Sequence, residues 1–229
     1  MLKTQSPIKM LASVTSVEEA LIALDAGVDM IDLKNPSTGA LGALNHALVK
    51  DIVDVVNRRT TVSATIGDLP MQPSLIVDAT KIMLETGVDI VKIGFFGRLN
   101  HAKCLNALKP QASQTKLIAV LFADEQPDFG LLANIVEAGF YGVMLDTANK
   151  SKGHLLSHLP VSRLMDFVSS ASLFGLQTGL AGSVQVGHIK DLCDIKPSYL
   201  GFRGALCEQN QRALGLDATK VGKIKKMLH

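Results

Sequence analysis

The chain has 229 residues, 47% of them hydrophobic and 4% aromatic, with no tryptophan. That length suits a single domain with a sizeable core of aliphatic side chains. A net charge of +2 points to neither nucleic acid nor a membrane as partner, and no apolar run approaches the ~20 residues of a membrane span.

In chain order, Lys9 to Val14 reads as a strand, and the residues before Lys9 as an extension. Ser16-Val17-Glu18-Glu19 is a capping-box pattern that opens a helix, which Gly27 stops. Val28 to Lys34 is a second strand, followed by a loop of turn formers from Asn35 to Gly42. Leu48, Ile52, Val55 and Val56 repeat at helical spacing. Thr60 to Ile66 is β-branched and strand-like, ending at Gly67-Asp68. Leu75, Ile76, Ala79, Ile82 and Met83 mark a helix, and Asp89 to Phe95 a strand. A shorter helix covers Asn100 to Leu108 and should end before Pro110.

Lys116 to Phe122 is a strand ending in Ala123-Asp124. Leu131 to Val136 is helical and Gly142 to Leu145 a strand. Thr147 to Pro160 is a polar loop, whose turn formers speak against a helix between His154 and His158. Val161 to Val168 is helical, Leu176 to Leu180 a strand, and Val186 to Leu192 a short helix. Tyr199 to Phe202 is the last strand, and Val221, Ile224 and Leu228 close the chain on an amphipathic helix whose lysines face solvent.

Strand and helix thus alternate eight times. Gly27-Val28-Asp29, Gly87-Val88-Asp89 and Gly139-Phe140-Tyr141 each put a helix-stopping glycine before an apolar strand. Such units pair in parallel with right-handed crossovers. The expected fold is one α/β domain over residues 1–229, a (β/α)8 TIM barrel. An open doubly wound sheet would show a glycine fingerprint after the first strand, where this chain has Thr15-Ser16-Val17-Glu18.

In such a barrel, reacting groups sit at the C-terminal strand ends. Met30-Ile31-Asp32-Leu33-Lys34 alternates so that Asp32 and Lys34 share a face. Paired only with each other, they would be a structural ion pair. The pattern recurs, however, with Lys92 inside Val91-Lys92-Ile93-Gly94 and with Asp146 and Lys150 after Val143-Met144-Leu145. Asp68, Asp124 and Arg203 also lie at strand ends. Lysines gathered in a barrel lose charge stabilisation through burial and mutual repulsion, and a neutral amine can attack a carbonyl to form a Schiff base. Aspartates beside it orient amines and move protons. Gly182-Ser183 after the seventh strand and Arg203-Gly204 after the eighth are candidates for a phosphate, held by backbone N–H groups.

Neither a metal nor a cofactor is expected. His46, His101, His154, His158, His188 and His229 are scattered without ligand spacing. Three cysteines without CxxC spacing, and no apolar leader, fit free thiols in a soluble cytoplasmic protein. The oligomeric state is open, and a homo-oligomer is compatible with the sequence.

Taken together, these segments resemble the (5-formylfuran-3-yl)methyl phosphate synthases, also called 4-(hydroxymethyl)-2-furancarboxaldehyde-phosphate (4-HFC-P) synthases. The matching stretches are Ile31 to Pro36 with Gly39 and Gly42, Val62 to Asp68, Val91 to Gly94, Met144 to Ala148 with Lys150, Leu180 to Ser183, and Phe202 to Ala205. The resemblance implies condensation of two glyceraldehyde 3-phosphate molecules with loss of phosphate and water. The product would be a furan aldehyde phosphate, an early precursor of methanofuran or methylofuran. It implies a Schiff base on Lys34 and proton transfer by Lys92, with Asp32, Asp146 and Lys150 in support. The chain departs from the family over Leu206 to Asp217, where Arg212 stands in for an expected arginine. A Schiff-base aldolase on another phosphosugar and a non-catalytic phosphate-binding barrel are the alternatives.

Overall fold

The computed structural model describes residues 7–228; the first part of the expected N-terminal extension and His229 lie outside them. Eight parallel strands form a closed barrel in chain order, with β8 pairing back onto β1. They are β1 (Lys9–Val14), β2 (Met30–Leu33), β3 (Thr61–Thr65), β4 (Ile90–Gly94), β5 (Lys116–Phe122), β6 (Gly142–Asp146), β7 (Gln177–Leu180) and β8 (Tyr199–Phe202). The expected (β/α)8 barrel is thereby established.

The strands' two-residue period builds two cores. Ile31, Leu33, Val62, Ala64, Val91 and Ile93 point outward into the layer between strands and helices. Met30, Ile90, Ile118, Val120, Met144 and Tyr199 point inward and fill the barrel. The same alternation turns Asp32 and Lys92 into the barrel, level with that inner set.

The outer layer comprises α1 (Val17–Asp25), α2 (His46–Val56), α3 (Pro73–Leu84), α4 (His101–Ala107), α5 (Lys109–Ala112), α6 (Leu131–Glu137), α7 (Leu155–His158), α8 (Val161–Leu173), α9 (Ile189–Asp194) and α10 (Ala218–Met227). Ser16 caps α1 by accepting from the Glu19 N–H. The reciprocal half of the expected capping box is missing. Glu19 turns instead to the Thr15 N–H at 2.7 Å and to Arg203.

In the recurring Gly-Val-Asp segments, Gly27 and Gly87 adopt left-handed backbone angles that end the preceding helix. The aspartates then sew the N-terminal rim. Asp29 accepts from the Met10 N–H at 2.7 Å and Asp89 from the Val62 N–H at 2.8 Å.

α4 ends at Ala107, before Pro110 as expected, and Pro110 falls in the first turn of a separate short helix, α5, where its missing N–H costs nothing. One segment differs from expectation. A short helix, α7, forms between His154 and His158. It is started by the His154 N–H donating to Ser157 Oγ and anchored by the Leu155 N–H donating to the Gly182 carbonyl. Gly153 lies just outside that turn and does not interrupt it. No described helix is long and apolar enough to cross a membrane.

Candidate active site

Strand register delivers the charged groups to one end of the barrel. Asp32 on β2 lies level with Ser13 on β1 and Ser63 on β3. Lys92 on β4 lies level with Thr65, one inward position above Ser63. From there Lys92 Nζ reaches back to Asp32 Oδ2 at 2.8 Å. Ser63 Oγ donates to Asp32 Oδ1 at 2.7 Å and Ser13 Oγ to Oδ2 at 3.3 Å. Asp32 is therefore wholly buried but fully partnered.

A second carboxylate faces it across the barrel. Asp146, at the end of β6, accepts from the Thr147 N–H at 2.8 Å and from Lys150 Nζ. Lys150 also donates to Thr147 Oγ1 at 3.1 Å. Lys34 stands between the two carboxylates, its Nζ 3.9 Å from Asp32 Oδ2 and 3.6 Å from Asp146 Oδ2. Neither contact is at hydrogen-bonding distance. Asp146 Oδ2 has no hydrogen-bond partner among the described residues.

Three amines and two carboxylates thus share a buried cluster, and the proton affinities of Lys92, Lys150 and both carboxyls shift there. Burial pushes Lys92 down further than Asp32 pulls it up, and Lys34 adds to the fall. Lys150 is pushed down to about 8 by burial, against the upward pull of Asp146, with repulsion from Lys34 and Arg212 adding to the fall. Burial alone would raise both carboxyls. Lys92 and Lys34 outweigh it at Asp32, and Lys150 and Lys34 at Asp146, so both are held below the usual carboxylate range.

Lys34, Lys92, Asp146 and Lys150 line a cavity of about 220 Å³ that also takes in Gly182, Ser183, Arg203 and Gly204. Asp32 sits behind its wall. Gly182 lies so close to Thr147 that an added Cβ would be 2.9 Å from Thr147 Cγ2. Ser183 is left-handed, with φ of 49°. The N–H groups of Ser183 and Val184 have no acceptor among the described residues.

Arg203 reaches the cavity wall, but its guanidinium is already occupied. All five of its N–H donors are engaged: two on Glu19, at 2.6 and 3.1 Å, and one each on the carbonyls of Ser13, Arg212 and Leu214. Its guanidinium stitches β8, β1 and α1 together and has no donor left for a ligand. Arg212 lines the same cavity, reaching over the mouth to the Gly39 carbonyl at 3.1 Å. Asp68 and Asp124, by contrast, stay out of the cavity. Asp68 accepts from the Ala40 and Leu41 N–H groups, and Asp124 from those of Ala148 and Asn149. A larger cavity, of about 480 Å³, opens between the β4 and β5 loops beside Phe95 and Phe122 and contains none of the five clustered groups. No three His, Cys, Asp or Glu side chains converge as a metal site among the described residues.

The sequence profile of 4-HFC-P synthase matches residues 10–225. The chain belongs to the 4-HFC-P synthase family. A relative from Methylorubrum extorquens is 40% identical over 215 residues, 93% of this chain and 88% of its own. The (5-formylfuran-3-yl)methyl phosphate synthase of Methanothermobacter thermautotrophicus is 32% identical over 233 residues, 96% of this chain and 98% of its own. Relatives are named as synthases, and the chain is an enzyme of that kind.

Solved structures share the fold at low identity. Phosphoribosyl anthranilate isomerase from Thermus thermophilus superposes with a TM-score of 0.70 at 13% identity, over 96% of this chain and 98% of its own. A 3-hexulose-6-phosphate synthase gives 0.63 at 16% identity, over 94% and 99%.

Sequence reasoning gave no role to Ser13 and Ser63, the hydroxyls that hold Asp32. Their signal was present, since each is a small polar residue at an inward position of an otherwise apolar strand. Glu19, spent on Arg203, carried no such signal.

Proposed function

We propose that this 4-HFC-P synthase family member joins two molecules of glyceraldehyde 3-phosphate into 4-(hydroxymethyl)-2-furancarboxaldehyde phosphate, with loss of phosphate and water. The reaction would serve methanofuran or methylofuran biosynthesis in the cytoplasm. The observation that carries this reading is the Lys34 amine, held at the cavity wall between two carboxylates without a hydrogen bond to either.

Lys34 is the nucleophile. Its amine attacks the aldehyde of one triose phosphate and water leaves, giving an imine. The cationic imine nitrogen acidifies the neighbouring C–H. A base takes that proton, and the enamine so formed attacks the aldehyde carbon of the second molecule. Lys92 is the proton carrier, because burial favours its neutral form and Asp32 can hold its protonated form. Lys150, braced by Asp146, protonates oxygen as phosphate leaves and the ring closes with loss of water, and hydrolysis of the imine then frees the aldehyde product and returns the Lys34 amine. The loops of Gly182-Ser183 and Gly204 take a phosphate on backbone N–H groups, and Arg212 supplies the cation first expected from Arg203.

The test is product analysis after incubation with glyceraldehyde 3-phosphate alone, with borohydride added to trap an imine. The furan aldehyde phosphate and a reduced adduct on the peptide bearing Lys34 are expected, and Lys34→Arg should lose both while remaining folded. Release of two carbonyl products from a larger phosphosugar would assign an aldolase instead. Turnover by Lys34→Arg without any labelled lysine would eliminate the imine.

A further inference from the structure

Lys150 lies in a polar stretch, yet its amine is held against a buried carboxylate. What fixes it begins on another strand. Phe122 of β5 lies level with Asp146 of β6, so two residues further on Asp124 comes level with Ala148. There Asp124 Oδ1 accepts from the Ala148 N–H at 2.7 Å and Oδ2 from the Asn149 N–H at 2.8 Å. Asn149 passes the constraint on. Its Oδ1 caps the short 3-10 turn Lys150–Lys152 by accepting from the Ser151 N–H at 3.0 Å and Oγ at 2.6 Å. Lys150 is the first residue of that turn.

We propose that Asp124 is a positioning residue, whose carboxylate clamps the Ala148–Asn149 segment and so holds the Lys150 amine against Asp146. Both its oxygens are engaged by backbone N–H groups and it does not line the cavity, so it is not itself a proton carrier. Hydrogen bonds from N–H to an ionised carboxylate are among the stronger ones. They substitute for the local order that a polar loop lacks. Without them the flexible lysine stem is free to swing its amine out of the cavity. The inference rests on the proposed function for what Lys150 does, but not for where it is held.

Lys150 faces Asp146, Lys34 and Arg212. Burial is the strongest influence on its amine and acts downward, so a Lys150 released to solvent regains proton affinity. The experiment is Asp124→Asn, which keeps the side chain's size but turns an NH2 toward a backbone N–H. Lys150 is titrated without substrate by following its acetylation with acetic anhydride, peptide by peptide, over a range of pH. Its midpoint should rise from about 8 toward the ~10.4 of a free lysine. With substrate, kcat should fall roughly 100-fold, as an amine displaced by about 1 Å would give, while KM changes much less.

Asp89→Asn is the matched control. Asp89 makes the same kind of contact, to the Val62 N–H, at the opposite rim, and its loss should leave the Lys150 titration unchanged. A folded Asp124→Asn with the wild-type Lys150 midpoint overturns the proposal, as does an equal shift in Asp89→Asn. Should Asp124→Asn fail to fold, Asn149→Ala removes the next link. The same upward shift there supports the clamp, and no shift overturns it. Because the titration needs no substrate, a wrong choice of reaction would leave its outcome intact.

Discussion

Lys92 Nζ donates to Asp32 Oδ2 across 2.8 Å, and neither side chain has any exposed surface. A buried lysine of this kind depends on its partner, since a lone charge in the barrel has no water to solvate it. Asp32→Ala should cost about 3–5 kcal/mol in urea unfolding, the range for breaking a buried pair from one side. The variant should also respond to pH in a definite direction. Burial holds the folded Lys92 below its ordinary value of 10.5, so between the two values the unfolded chain binds the extra proton and stability rises with pH. Asp32 opposes that shift, so removing it widens the window. The Tm of Asp32→Ala should begin its climb toward pH 10.5 from a lower pH than that of wild type, and curves that begin to climb at the same pH would refute this account.

The pH-rate profile should report Lys150. As a proton donor it must be charged, and its amine titrates at about 8. The rate should therefore fall as pH rises through that value. In the residual activity of Lys150→Arg the falling limb should move well above it, because a guanidinium stays protonated. A limb still centred at the wild-type pH would place the titrating group elsewhere.

Arg203 and Glu19 form a bidentate pair that is nearly buried on both sides, with 8% and 9% of their side chains exposed. Arg203→Lys keeps the charge but not the five-donor fork, so it should lose about 2–4 kcal/mol in chemical denaturation. Arg203→Lys and Glu19→Gln should both raise the KM for a phosphorylated substrate, and by similar factors, because both changes loosen the loop that carries Arg212. Were Arg203 a direct phosphate ligand, Glu19→Gln would leave KM nearly unchanged.

Gly182→Ala tests the loop after β7. Gly182 has φ of 110°, and its new Cβ would stand 3.2 Å from the backbone nitrogen of Thr147, an atom with no freedom to rotate away. The expected cost is about 1–3 kcal/mol of stability. Displacement of the Ser183 and Val184 N–H groups should raise KM severalfold while kcat falls less. An unchanged KM would remove this loop from the phosphate site.

The barrel and the membership of the charged cluster were legible in the residues themselves. Helix-ending glycines before apolar runs give the alternation. A lysine within Val91-Lys92-Ile93-Gly94 stands out because burying an amine in a strand is costly without a partner. Two-residue periodicity is local, so it could assign Asp32 and Lys34 to one face without any knowledge of the fold. Partner choice is not local. Arg203 read as a phosphate group from its place after β8, yet its guanidinium is claimed by Glu19, 184 residues away in sequence. Asp68 and Asp124 looked equivalent to Asp32 and Asp146 as strand-end carboxylates. Only register, which sets each strand's height against its neighbour, turned the first two onto loop N–H groups and the second two onto lysines. Composition and spacing thus determined which charges reach the mouth of the barrel. The closed tertiary structure decided which are consumed in holding it together and which remain for chemistry, because a hydrogen bond is settled by distance in space, on which sequence spacing is silent.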